Sequence, residues 1–329
     1  MPPLYDLPAL RALAAFAAGD EFSPLHGAHC LLACLDARDS ADAGDGAAIS
    51  EWLRDLPCPT IAIGVDVGLA TSFDVALADD RELPALLDTI SRAPLAAAAL
   101  VQVLRATPAL TLAQGLLLES LAYATLQGGP EFRRWSAAHP ARAAAVFAAP
   151  PLLLERADDH LEIRLNRPER RNAISVDMRD ALCEAFQLVS ADASLRSVRV
   201  SGNGACFSVG GDVDEFGSAP DPATAHAVRS LRLPARQLLR CADRVEFHVH
   251  SACIGAGIEL PAFGRRVTAT RTAFFQLPEL QFGLIPGAGG CVSLPRRIGR
   301  QRTAYMALSG KKINARRALE WGLIDAIVE

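Results

Sequence analysis

Along the 329-residue chain the spacing of apolar side chains changes character near residue 150. Before that point it is helical. "ELPALLDTISRAPLAAAALVQVLRA" and "TLAQGLLLESLAYATLQ" bring apolar residues round every three or four positions. In the second, Leu112, Leu116, Glu119/Ser120 and Tyr123 fall at i, i+4, i+7/8 and i+11. "GGPEFRRW" interrupts the pattern and restarts it. Only "TIAIGVDV" (60–67) reads as a β-branched run, and "FSPLHGAHCLLACLDARD" (22–39) fits no element. The stretch 138–151 reads as a linker ended by Pro150 and Pro151, because proline stops helices.

From residue 152 the period shortens. "LEIRL" (161–165) alternates like a strand, and "NRPERRNAI" is a turn. "SVDMRDALCEAFQLV" then predicts a helix with Ser175 as N-cap and Met178, Leu182, Ala185/Phe186 and Val189 as its buried stripe. "SVRVSG" (197–202), "RVEFHVH" (244–250), "RVTAT" (266–270) and "GLIDAIV" (322–328) read as further strands. "IGAGIELPAF" is expected to open a helix after the third. Strands alternating with helices predict an α/β fold built from right-handed crossovers. The organisation expected is a mainly helical region over 1–150 and an α/β core over 151–329.

Composition narrows the class. Half of the residues are hydrophobic and the net charge is −4, with no dense basic stretch, so nucleic acid is not an expected partner. Eight scattered cysteines without CxxC pairs read as reduced, mostly buried thiols. The first residues, "MPPLYDLPALRALAAFAAGDEF", have acids and no basic stretch ahead of the apolar part, unlike a signal peptide, and no apolar run reaches membrane-spanning length. A cytoplasmic protein without membrane contact is expected.

Chemistry concentrates in three glycine-bearing loops, "SVGGDVDEF" (208–216), "IGAGIEL" (254–260) and "LIPGAGG" (284–290). Small residues let a ligand approach backbone N–H groups, and two such groups aimed at one carbonyl oxygen form an oxyanion hole. Each loop taken alone also reads as an ordinary turn, and neither "GAG" continues as the dinucleotide pattern G-x-G-x-x-G. Glu259 follows its loop within apolar surroundings. A buried, unpaired carboxylate is costly, so Glu259 sits either on an exposed helix face or beside a backbone-lined crevice. His248, His250 and Cys253 hint at a metal, but no further ligand pair has the spacing; a hydrogen-bonded histidine pair is the expectation, and no metal site is assigned. Asp212 reads as a helix cap rather than a cation ligand. No G-x-S-x-G elbow and no cysteine nucleophile motif is present.

Together these stretches resemble the enoyl-CoA hydratase/isomerase (crotonase) family. "IRLNRPERRNAIS" is similar to its opening strand and turn, "ACFSVGGDVDEF" and "IGAGIEL" to its two oxyanion loops, and "FQLPELQFGLIPGAGG" to the segment with a catalytic glutamate. "LSGKKINARRALEWGLID" is similar to its closing helix and strand, so the resemblance spans about 158–328 with the motifs in order. It implies a crotonase-like core of repeated ββα units and an acyl-CoA-processing enzyme. The N–H groups of Gly211 and Ala256 are the implied oxyanion donors; many relatives have glycine at the second position. Glu259 and Glu279 are the implied acid–base pair about C2 and C3, of which isomerases often keep only the second. Arg171, Ala173, Gly210, Asp212, Gly255, Pro286 and Gly287 are the implied substrate-binding residues. "PRRIGRQR" (295–302) and Arg170/Arg171 are candidates for the phosphates of coenzyme A, with solvated helix faces as the alternative.

The activity implied is hydration of a 2-enoyl-CoA or its reverse, with no cofactor beyond the coenzyme A of the substrate, in a homo-oligomer (trimer or hexamer). The alternatives are double-bond isomerisation, or cofactor-free oxygenation of an acyl-CoA as in relatives with long helical N-terminal extensions. A non-catalytic, assembly-forming relative is the alternative of another class. Relatives continue for some sixty residues past the "GLID" strand, whereas this sequence ends at Glu329. Residues 76–137 resemble that tail, placed ahead of the core, and "SEWLRDLPCPTIAIG" (50–64) resembles the approach to a family central strand. The expectation is a rearranged chain: a degenerate leading copy, without an active site of its own, whose terminal helices serve the intact second half.

Overall fold

The computed structural model describes residues 2–16, 19, 21–35, 43–64, 68–142 and 147–329. Residues 36–39 of the unassigned stretch, 65–67 of "TIAIGVDV" and 143–146 of the linker lie outside them. The leading region begins with β1 (Leu4–Tyr5), α1 (Leu7–Ala15), β2 (Leu31–Leu35), α2 (Ala43–Asp55), β3 (Thr60–Gly64) and β4 (Val75–Leu77). The four strands form a parallel sheet in the order β1-β2-β3-β4. Beyond the β3 run, these strands escape a reading by period. They are two to five residues long, and β2, "LLACL", is apolar throughout and buried at every position but Cys34, so it does not alternate.

Four helices follow: α3 (Leu83–Arg92), α4 (Pro94–Ala106), α5 (Leu112–Gln127) and α6 (Pro130–Ala138). Thr111 starts α5 with a reciprocal cap, its hydroxyl accepting from Gln114 N–H while the Gln114 side chain accepts from Thr111 N–H. Glu131 of α6 reaches back to cap α4, accepting from the N–H groups of Leu95 (2.7 Å) and Ala96 (2.9 Å). No helix or strand occupies the described residues between α6 and Leu152.

The second region comprises β5 (Leu152–Ala157), β6 (His160–Leu165), α7 (Val176–Ala191), β7 (Ser197–Gly202), α8 (Pro222–Arg232), α9 (Pro234–Leu238), β8 (Val245–Val249), β9 (Ala252–Ile254), α10 (Ala256–Glu259), β10 (Arg266–Thr270), β11 (Phe274–Gln276), α11 (Gly290–Ile298), α12 (Arg300–Ser309), β12 (Ile313–Asn314), α13 (Ala315–Trp321) and β13 (Ala326–Val328). A six-stranded sheet, β13-β10-β8-β7-β6-β5, is parallel except for the β5–β6 hairpin. A smaller sheet, β12-β11-β9, stands beside it. The chain passes from the large sheet to the small one twice, from β8 to β9 and from β10 to β11, and so winds as a ββα spiral. In the large sheet Ile163, Val198, Val200, Phe247, Val249, Val267 and Ala269 alternate inward, as the period of two requires.

The stripe expected on α7 is buried as drawn, but Ser175 does not cap with its side chain. Its hydroxyl donates to the neighbouring Asp177. The first amide of the helix, Val176 N–H, is satisfied instead by the Glu215 carboxylate at 2.7 Å.

One continuous apolar core runs through both regions, from Leu32, Ile61 and Leu86 to Phe186, Phe247 and Leu294; a second small core lies under α1 and α2 around Phe22 and Leu53. Seven of the eight cysteines are buried and Cys34 is exposed. Burial pushes the thiols of Cys30 and Cys58 up to about 12, so they are inert packing groups. Among the described residues no single helix is long and apolar enough to cross a membrane.

Candidate active site

At the end of β9 the chain must turn at once into a helix, and Gly255 does this at φ 51°, ψ −122°, which an L-residue with a side chain adopts only under strain. Its carbonyl accepts from the N–H groups of Ile258 and Glu259. The helix so opened is a single turn, α10, shorter than the sequence implied. Pro261 allows no continuation, and a 3₁₀ turn over Pro261–Phe263 replaces it. The result points Glu259 inward, 2% exposed, rather than to solvent.

A cavity of about 430 Å³ receives this turn. Gly211, Asp212, Ala256, Glu259, Glu279 and Gly287 all line it, together with apolar Ile174, Val176, Phe216 and Val228. A methyl added at Gly255 would lie 2.6 Å from Glu279 Oε1 and 3.8 Å from Glu259 Oε1, so both carboxyls close on the same glycine. One at Gly210 would lie 2.5 Å from Ile254 O and 3.4 Å from Ala256 N, which shows how closely the first two glycine loops approach. Among the described residues the N–H groups of Gly211 and Ala256 donate to no protein acceptor.

The two carboxyls differ in their surroundings. Glu259 Oε2 accepts from Ala288 N–H and Gly290 N–H, each at 2.8 Å. Burial raises its pKa to about 7, against the opposing pull of those two amides. Glu279 stands on a 3₁₀ turn (Glu279–Phe282), and its Oε2 is buried without a partner among the described residues. Burial first, and the charge of Glu259 second, push Glu279 well above the ordinary carboxylate range. One acid thus has two amides that favour its ionised form, and the other is kept neutral.

A third carboxylate enters from the leading region. Glu119 of α5 is buried and accepts from Gly289 N–H (2.7 Å) and Cys291 N–H (2.8 Å). Glu259 and Glu119 therefore take alternate amides of one turn, 288–291, at the N-terminus of α11. Burial and then the Glu259 charge raise the pKa of Glu119 well above the usual value. One helical turn on, Tyr123 also lines the cavity, and a methyl at Gly287 would meet its ring at 2.3 Å. Burial raises the Tyr123 phenol above its ordinary value, so it remains protonated. The sequence motifs give neither residue a role. Their signal was present nonetheless, as a glutamate and a tyrosine four residues apart within the apolar stripe of α5. Helix α6 buttresses the same wall, with Trp135 5.9 Å from Phe216 and 5.1 Å from Phe282 between ring centres.

Of the remaining candidates, Arg171 and Ala173 line a separate cleft of about 350 Å³ that shares Gly211 and Asp212 with the cavity. Gly210, Gly255 and Pro286 do not line the cavity; they are the backbone beneath it. Arg170 is held by Asp212 and by Asp214 (2.6 Å), which leaves less of it for a phosphate. Asp212 accepts from Asp214 N–H and caps the turn after its loop, as expected. Arg300 and Arg297 of the basic stretch are bound to protein acceptors. His248 hydrogen-bonds Thr268, and His250 hydrogen-bonds the Gly204 carbonyl. Among the described residues no group of three or more His, Cys, Asp or Glu side chains could hold a metal ion.

The sequence pattern of enoyl-CoA hydratase/isomerase matches residues 156–329. The chain belongs to that family. It is 35% identical over 174 residues to the 1,2-epoxyphenylacetyl-CoA isomerase of Escherichia coli, covering 51% of this chain and 66% of that protein. It is 32% identical over 176 residues to the 2,3-dehydroadipyl-CoA hydratase of Escherichia coli, covering 54% and 68%. The mitochondrial Δ(3,5)-Δ(2,4)-dienoyl-CoA isomerase of Mus musculus is 31% identical, and the chain spans only 55% of its length. The crystal structure of an enoyl-CoA hydratase from Thermoplasma volcanium is similar with a TM-score of 0.51 and 34% identity, over 56% of this chain and 74% of that one. These comparisons cover about half of the chain.

Proposed function

We propose that the protein is a coenzyme A thioester lyase that adds water across a 2-enoyl-CoA, or removes it, through a thioester enolate. The observation that carries this reading is the meeting of Glu259 and Glu279 over Gly255, in a cavity whose wall offers the free N–H groups of Gly211 and Ala256. Two amide donors on the thioester oxygen stabilise the charge that develops there, a term worth about 3–4 kcal/mol per donor in comparable sites. Glu259, with two amides favouring its anion, takes a proton from the water that attacks C3. Glu279, held neutral, delivers a proton to C2. Coenzyme A arrives with the substrate, its tail along the cleft of Arg171 and Ala173, and the scheme calls for no further cofactor.

The helices α3–α6 act in this reading as the cover of the site, donated by the leading region. The open cavity argues for a catalyst over a closed, purely assembly-forming relative. Incubation with crotonyl-CoA should deplete the enoyl absorbance, and E259Q and E279Q should each lower kcat by roughly 10²–10⁴-fold. Tight acyl-CoA binding without turnover would favour isomerisation or oxygenation of another acyl-CoA; absence of binding would sink the enzymatic reading.

A further inference from the structure

Helix α8 gives the cavity Ala225, Val228, Arg229 and Arg232 from one face. Arg229 is half-buried and well bonded, yet among the described residues no carboxylate pairs with it directly. Its Nε donates to Ser120 Oγ (3.1 Å), Nη1 to Gln127 Oε1 (3.1 Å) and Nη2 to the Ser120 carbonyl (3.4 Å). The guanidinium lies 4.5 Å from the centre of the Tyr123 ring. All three acceptors are uncharged. Among the described residues no carboxylate lies within ion-pair distance of it, whereas the buried Arg167 and the half-buried Arg105 and Arg300 each hold an aspartate, and Arg244 binds the carbonyls of Val189, Asp192 and Leu195 at and beyond the end of α7. Burial lowers the pKa of Arg229, and the nearby Glu119 opposes this only in part. A guanidinium has five N–H donors, and three are used here.

We infer that Arg229 binds an anionic group at the far end of the acyl chain, so that the preferred substrate is an acyl-CoA carrying a second, terminal carboxylate. The inference rests on the proposed thioester reading, which makes this cavity the acyl site. The apolar walls of Ile174, Val176, Phe216 and Val228 suit the methylenes between the two ends. A methyl-terminated chain of the same length would strip water from Arg229 and leave its remaining N–H groups unanswered, which disfavours it. A carboxylate restores both a counter-charge and two acceptors in the fork geometry that arginine matches best.

The test is titration calorimetry of the full chain with saturated thioesters, butyryl- to octanoyl-CoA, against the same series bearing a terminal carboxylate. At one chain length the carboxylated thioester should bind about 10- to 100-fold more tightly than its methyl-terminated counterpart, the range expected of a charge-assisted pair. In R229Q that ratio should fall to near one; R229K, which keeps the charge without the fork, should retain part of it. Equal affinities at every length, or a preference undiminished in R229Q, would overturn the inference. The two readings fail separately. Preferential binding with no hydration of the corresponding 2-enoyl thioesters would leave the anion site standing and remove the lyase. Hydration of crotonyl-CoA with no preference for the carboxylate would do the reverse.

Discussion

At the residue scale, Glu259 shows how burial and hydrogen bonding divide a carboxylate's behaviour. Its folded pKa of about 7 lies above the ordinary value of 4.5, so the protonated form is the one the fold prefers. Stability from this group is complete below pH 4.5 and is lost as the pH rises through 7. The stability of E259Q relative to the parent should therefore grow between pH 5 and pH 8.5, by about 2–3 kcal/mol. Denaturant titrations at the two pH values measure this, and a pH-independent difference would refute it. In the proposed mechanism Glu259 acts as base in its ionised form, so kcat/KM should rise through about pH 7 and fall again where Glu279 loses its proton. Gly255 carries the complementary prediction. In G255A the backbone would be strained by about 1–3 kcal/mol and the methyl would displace the Glu279 carboxylate, so activity should collapse while the protein still folds.

The decisive element is α5. Its apolar stripe makes it a helix from sequence alone, and the structure adds the capping box, but the same stripe has Glu119 and Tyr123 where a purely structural helix would have leucine. Glu119 grips two amides of the turn whose other two amides grip Glu259. E119Q cannot accept at both positions and leaves a buried N–H unpaired, a loss of about 1–3 kcal/mol. Because the turn also positions Glu259, kcat should fall by roughly ten- to a hundredfold with a smaller change in KM. An unchanged kcat would make Glu119 a helix cap and nothing more.

For the whole molecule, the leading region is bound to the core by a buried ionic knot as well as by apolar contact. Asp74 accepts from Arg105 Nη2 (2.5 Å) of α4 and from Arg300 Nη1 (2.7 Å) of α12, and also from Thr60. Removing the shared anion in D74A leaves two guanidinium groups facing each other, and should destabilise the protein by about 3–5 kcal/mol. We propose, from the resemblance of residues 76–137 and 50–64 to family segments, that the leading region is a degenerate copy whose terminal helices now serve the second half. Deleting residues 1–137 would uncover the apolar faces of α11 and α12, remove Tyr123 from the cavity wall and take Glu119 from the amides of Gly289 and Cys291. The remainder should be insoluble or inactive; a soluble, active 150–329 fragment would disprove this.

Local physics made much of this protein legible in its sequence. The strands β6, β7, β8 and β10 follow from alternation, α5 and α7 from a period near 3.6, and the glycine loops from the small residues that close backbone approach requires; the pairing of Glu259 with Glu279 comes only from the resemblance to a family. Tertiary structure alone decided the rest. The short strands β1, β2 and β4 are stabilised by pairing across long sequence separations, which no local window contains. That Glu215 rather than Ser175 satisfies the first amide of α7, that Glu119 reaches a turn 170 residues away in sequence, and that Arg229 pairs with no carboxylate among the described residues are all outcomes of packing. A side chain's periodicity states which way it faces on its own element, but only the folded chain sets what it faces.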